Sequence, residues 1–373
     1  MTGADIVADL NLLLTAKRLN SNSTAVITSY VDSRLAANGD VNEAISLAQQ
    51  LFVATAEFHS TNMQALSSRP RAVNTGSGVR AGNFKAIVVL FQAGGCDSYN
   101  VLVPFADCAA AGKDMFAHYE AVRGDVKLTR SELEPHIINN TRAGATQQPC
   151  DTFALHPSLG YVRELYEQGD AAFLANIGWL IEPMDRTSYY DGSRQIPPQI
   201  FAHNMGQKAA QNLHPQVGSS KGVLGRMLDA IHIQNTARVG SYSIAGNNKI
   251  VDGEHTTPDI ISRSNGVVRL SIPSLAPMIA DVLAPASTSI YGETVAGLTE
   301  AALTRSDLVG DALDAVQLTQ PWTETDAVSE QFKQIAKLIN ASETLQTDRA
   351  AFIASYGSFD THSDNHANMA EKL

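Results

Sequence analysis

The sequence predicts an α/β protein: a mainly parallel sheet flanked by helices, preceded by a helical N-terminal segment. Short continuous apolar runs, such as "KAIVVLF" at 85–91 and "RAAFIASYG" at 349–357, alternate with helix-like stretches. Strands that are apolar on both sides belong to parallel sheets covered on both faces. The helix-like stretches carry apolar residues at three-to-four spacing, as where "AVSEQFKQIAKLINASETL" sets Val328, Phe332, Ile335 and Ile339 on one face. With 373 residues and 44% hydrophobic side chains, the chain has enough material for a large core and a small additional module.

Taken in order, residues 1–66 read as a helical segment, in which "NEAISLAQQLFVATAEFHS" places Ile45, Ala48, Leu51, Phe52 and Phe58 on one stripe, interrupted by Thr55. Such a stripe requires a surface to bury against. The stretch "SSRPRAVNTGSGVRAGN" is rich in Ser, Gly, Arg and Asn without apolar periodicity, so residues 67–83 read as a linker. The main domain is then 84–373. It is expected to contain a strand at 85–91, a helix at 158–168 closed by Gly169, a strand "AAFLANIG" at 171–178 and a strand "GSYSIAG" at 240–246. The amphipathic helix beginning near Ala327 and the strand "RAAFIASYG" follow. There is no internal repeat and no low-complexity tract.

Lys and Arg total 27 against 38 Asp and Glu, a formal charge of −11, and no basic cluster forms a phosphate-tracking face. Nucleic acid and anionic membrane are excluded as partners on that ground. No run of about 18 apolar residues exists to span a membrane, and Asp5 and Asp9 stand where a signal peptide would carry its basic flank. Of the cysteines Cys96, Cys108 and Cys150, the last two flank a polar excursion and suit a loop-closing disulfide if the protein is exported; three reduced thiols fit the sequence equally well. Asn-x-Ser/Thr triplets begin at Asn22, Asn139 and Asn340, a number that arises by chance at this length.

In an open parallel sheet, ligands bind beyond the carboxyl ends of the strands. Two acidic turns fall there. Asp97 follows the strand 85–91 through Gly94 and Gly95, whose missing side chains allow a tight bend and leave room for an ion or substrate. Asp360 and His362, in "YGSFDTHSDNH", follow the last strand, with Asp364 and His366 nearby. An Asp-x-His pair offers oxygen and nitrogen donors suited to zinc, manganese or iron, although such triplets also occur as solvated loop residues. His203 and Asn204, in "FAHNMGQ", follow the extended entry set by Pro197 and Pro198 and either face a site or stabilise a turn. "GSSKG" at 218–222 matches the nucleophile-elbow pattern around Ser220, but "NLHPQV" before it is a poor strand.

Six blocks carry a resemblance: "VVLFQAGGCDSYNVLVPF", "FALHPSLGYVRELYEQGDAAFLANIGWLIEPMDRTSY", "IPPQIFAHNMGQ", "KGVLGRMLD", "YSIAGNN" and "GSFDTHSDNH". Their order over residues 84–373 resembles the family called domain of unknown function 1501, whose members look like distant relatives of the alkaline phosphatase and sulfatase superfamily. "AISLAQQLFVATAEFHSTN" resembles the tail of a second family, domain of unknown function 1800, which implies a possible upstream domain before residues 1–66.

The resemblance implies an alkaline-phosphatase-like α/β fold with its C-terminal part missing, and export to an extracellular or periplasmic place. It implies a divalent metal (zinc, manganese, magnesium or calcium) held by Asp97, Asp360 and His362. His203 and Asn204 are the implied catalytic candidates. Relatives commonly read Phe-Ser-His-Asn where this chain has Ala202, and they continue past the Asp-Thr-His block into further ligand segments. An incomplete or impaired metal-dependent hydrolase of phosphate or sulfate esters is therefore expected. The alternative is a non-catalytic exported scaffold that binds a partner such as a surface glycan or a small anionic ester.

Overall fold

The computed structural model describes residues 1–61, 66–70, 83–110, 112–139, 150–234 and 237–373. Its strands are β1 (Leu66–Pro70), β2 (Lys85–Gln92), β3 (Leu102–Ala110), β4 (Lys113–Asp114), β5 (Ile137–Asn139) and β6 (Cys150–Leu155). They continue with β7 (Val239–Ser243), β8 (Asp259–Ser262), β9 (Gly266–Val267), β10 (Pro285–Ser287) and β11 (Arg349–Tyr356). The central sheet has the order β2-β11-β7-β8-β9. Its first four strands are parallel and β9 runs antiparallel beside β8.

β11 shows why a continuous apolar run belongs in the middle of such a sheet. Ala350, Phe352 and Ala354 point to one face, where Val309, Leu313, Ile335 and Leu338 cover them from the helices Ile290–Ala315 and Ala327–Asn340. Ala351 and Ile353 point to the other, against Leu224 and Leu228 of the helix Val223–Ile233. Phe352 also stacks on Tyr242 of β7, with ring centroids 5.1 Å apart. On the helix Ala327–Asn340, Ile335 is buried as the spacing predicts, while Ile339 lies open and its neighbour Leu338 takes the core position.

Two expectations need correction. β2 forms where its sequence predicts, but among the described residues it is the outer strand of the sheet, paired with β11 alone. Val89 and Phe91 pack inward, whereas Ile87, Val88 and Leu90 remain 46%, 38% and 40% exposed. The run "AAFLANIG" is not a strand: Asn176 sits at φ +56°, which breaks an extended backbone, and Leu174 and Ile177 face outward. The helix before it does form, as Gly160–Gln168, and ends on Gly169 in the left-handed conformation that glycine tolerates.

A second sheet, β4-β3-β6-β5, is antiparallel and encloses a core of its own built from Val103, Phe105, Phe116, Tyr119 and Leu133. Cys108 and Cys150 face each other across β3 and β6 and are joined by a disulfide, leaving Cys96 as a free thiol.

The N-terminal helices are α1 (Gly3–Thr15), α2 (Ser21–Asn38) and α3 (Val41–Val53). Thr2, Asn20 and Asp40 cap their first turns, satisfying N–H groups that have no partner within a helix. Ala48, Leu51 and Phe52 of the expected stripe are buried, Ile45 packs at its margin and Phe58 falls outside it. The surface that receives the stripe is the distant helix Leu275–Leu283, through Leu275, Ile279, Val282 and Leu283. β1, at the start of the expected linker, pairs antiparallel with β10; residues 71–82 of that linker lie outside the described residues. No helix among the described residues is long and apolar enough to cross a membrane.

Candidate functional site

β2 and β11 run parallel and in register to their last residues, Gln92 opposite Tyr356, so both release their following turns at the same end of the sheet. Ala93 N donates to Tyr356 O at 2.8 Å, and Phe359 N donates to Ala93 O at 3.2 Å, which locks the two turns together. Gly94 and Gly95 have φ of +120° and +128°. A Cβ on Gly94 would stand 2.9 Å from Asp360 N, so the close approach of the turns depends on its absence.

On that junction sits Asp360. Its Oδ2 lies 2.9 Å from His362 Nε2 and 3.1 Å from His203 Nε2. The hydrogen bond from His362, aided by His203, holds the Asp360 carboxyl below its ordinary range. Asp360 and His203 are 40% and 58% exposed, so substrate and water both have access. His203 is the first residue of the helix His203–Asn212, whose N-cap position is Ala202 and has no side-chain cap. A serine at that place would be a natural helix cap, so its absence has a structural consequence beside any nucleophilic one. Asn204 turns back on its own chain, accepting from Met205 N through Oδ1 at 2.9 Å.

Asp97 is held separately. Its Oδ2 accepts from Asn100 Nδ2 at 3.0 Å, from Asn365 Nδ2 at 2.7 Å and from the Arg123 guanidinium. Asn100 carries the network onward, donating to Val126 O and accepting from the Tyr119 hydroxyl, each at 2.7 Å. The aspartate thereby pins the antiparallel sheet module and the last helix, Asn365–Lys372, to the end of β2. Arg123, Asn100 and Asn365 were not legible as partners, since nothing local marks them. Asp364 opens that last helix in the left-handed conformation, and His366 lies in its first turn.

The implied divalent ion can be tested against these donors. Among the described residues, no group of three or more His, Cys, Asp or Glu side chains is arranged to hold a metal ion. Two imidazole nitrogens meet one oxygen of Asp360, where an ion would need them to converge on a common vacant point. Oδ2 of Asp97 is occupied by a guanidinium and two amides. As placed, Asp97, Asp360 and His362 do not fit as one coordination shell.

Beside the two turns lies a cleft of about 590 Å³. One wall is Phe91, Gln92 and the turn Gly94–Cys96; the other includes Ile177, Trp179, Ile200 and Phe201, with His203 between them. Trp179 is seated on Gly206, where a Cβ would come within 2.9 Å of its ring, and Phe201 meets Tyr189 edge-on at 6.0 Å. The free Cys96 thiol also lines the cleft, and burial together with the nearby Asp97 charge pushes its pKa up, which disfavours the thiolate. Ser220 has no strand before it, as "NLHPQV" leads one to expect, and stands just before the helix Val223–Ile233, not on a nucleophile elbow. Gly222 is required there by packing, because a Cβ would overlap Lys249 O at 1.8 Å.

No family model, curated protein or solved structure matches this chain.

Proposed function

We propose that the chain binds a small phosphate or sulfate ester in the cleft at the carboxyl ends of β2 and β11, and that it belongs to the hydrolase class. The observation that carries this reading is the pairing of His203, which lines the cleft, with Asp360 at 3.1 Å. With its Nε2–H donated to the carboxylate, the His203 ring keeps a lone pair on Nδ1, on the side where it approaches Gly95. That nitrogen takes a proton from a water molecule, the hydroxide adds to the phosphorus or sulfur, and the alkoxide or aryloxide leaves. Asp360 orients the imidazole and stabilises the imidazolium that forms. Hydrolysis of an aryl phosphate and an aryl sulfate, with and without added divalent ions, tests the reading. His203→Ala should lower turnover by about a hundredfold or more, and unchanged turnover would overturn it.

A second reading, a non-catalytic scaffold that binds an ester or a surface glycan, is favoured by one pair of observations. Oδ2 of Asp97 is taken up by Arg123, Asn100 and Asn365, and position 202 has no hydroxyl. Binding without product would separate it from the first. In both readings the Cys108–Cys150 disulfide supports an oxidising, extracellular or periplasmic location.

A further inference from the structure

We infer that the turn Gly94–Cys96 is a backbone cradle for the anionic head of the ligand, and that the facing wall selects a flat apolar body. The ligand class is therefore a bulky aryl phosphate or sulfate monoester rather than a small alkyl one. This rests on the reading of the cleft as an ester site.

The cradle follows from a count of donors. Ala93 N and Ser98 N, on either side of the turn, donate to Tyr356 O and Cys96 O. Between them, the N–H groups of Gly94, Gly95 and Cys96 have no acceptor among the described residues, and all three residues line the cleft. Successive backbone N–H groups at a turn form an anion-binding concavity, and unsatisfied donors of this kind favour a ligand that accepts from them. Ser98, exposed and also lining the cleft, adds a hydroxyl with no partner among the described residues.

Charge permits an anion here although the chain is acidic overall. The carboxylate next to the turn, Asp97, is matched by Arg123, and Asp360 has two imidazoles within 3.1 Å that offset its charge only when protonated. Shape then sets the rest of the ligand. About 590 Å³ lies within the range of roughly 300–1,000 Å³ that accommodates drug-sized molecules, far more than an inorganic anion fills. Phe201 is 79% exposed and Trp179 38% exposed, leaving two aromatic surfaces open to a flat partner.

The experiment is calorimetric titration of the full chain with three non-hydrolysable probes: 2-naphthalenesulfonate, ethanesulfonate and the uncharged 2-naphthol. The expected result is that 2-naphthalenesulfonate binds at least about tenfold more tightly than either of the others. Phe201→Ala and Trp179→Ala should each weaken it about fivefold or more and leave ethanesulfonate unchanged. In glycine-labelled protein, the Gly95 amide proton, assigned through its loss in Gly95→Ala, should move downfield with either sulfonate. Equal binding of naphthol and naphthalenesulfonate, or an unmoved Gly95 amide, would overturn the cradle; indifference to Phe201→Ala and Trp179→Ala would overturn the aromatic wall. Binding of the sulfonate without hydrolysis of 2-naphthyl phosphate or 2-naphthyl sulfate would remove the hydrolase reading alone. Hydrolysis of alkyl esters as fast as aryl esters would remove this inference alone.

Discussion

His203, at the start of one helix, places its Nε2 3.1 Å from Oδ2 of Asp360, beyond the end of β11. The pair joins two segments that share no local sequence signal, beside the place where the turns after β2 and β11 touch. Replacing Asp360 by Asn keeps the size and removes the charge that orients the imidazole. A loss of turnover close to that of His203→Ala is expected, and the double variant should be no worse than the worse single one, because the two act as a unit.

Asp360 titrates below its ordinary value in the folded chain, through the His362 hydrogen bond and then His203. A group depressed in this way contributes stability that is fully present above the unfolded carboxylate value and is lost as pH falls through the folded one. The His362 and His203 contacts should thus weaken only in the acid range. Carbon NMR of the Asp360 carboxyl should show the low titration in the wild type, and His362→Ala should bring it upward.

Ala202→Ser distinguishes a cap from a nucleophile. The position is the N-cap of the helix His203–Asn212 and has no side-chain acceptor at present. A serine there should raise stability by about 1 kcal/mol in a denaturant titration. No change in turnover would leave the serine as a cap, while a marked rise would show that the hydroxyl takes part in chemistry.

Arg123→Ala should be costly for folding, since Asp97 is only 12% exposed and would lose its cation. Removing one partner of such a pair costs roughly 3 kcal/mol where burial is complete and less here, in proportion to exposure. Arg123→Ala combined with Asp97→Asn should recover part of that loss. Full recovery of stability in the double variant, with ligand binding intact, would assign Asp97 to architecture.

Reduction of the Cys108–Cys150 disulfide should lower the melting temperature. The bond closes a loop with a sequence separation of 42, and loss of a native disulfide of this kind costs about 2–5 kcal/mol. Cys108→Ser with Cys150→Ser should melt at the same reduced temperature whether or not dithiothreitol is present.

Much of the fold could be read from periodicity. The helix Ala327–Asn340, β7 and β11 all stand where the apolar spacing put them. β2 and "AAFLANIG" show the limit, because a run of apolar residues records hydrophobicity and not which neighbour will cover it. β11 found covering helices on both faces, β2 became an edge, and the third run formed no strand at all. At the site, Asp360 and His362 were visible as an Asp-x-His turn, being two residues apart in the chain. The arrival of His203, and of Arg123 and Asn365 around Asp97, depends on tertiary packing that local spacing does not encode.

The outer position of β2 bears on how the molecule behaves in solution. One row of its main-chain donors and acceptors has no neighbouring strand among those described, and Ile87, Val88 and Leu90 lie open along it, with Lys85 the only charge. An edge of this composition is a template on which another extended chain can add. The isolated chain is accordingly expected to associate through strand addition at β2 as its concentration rises, and Val88→Lys to reduce that association in light scattering.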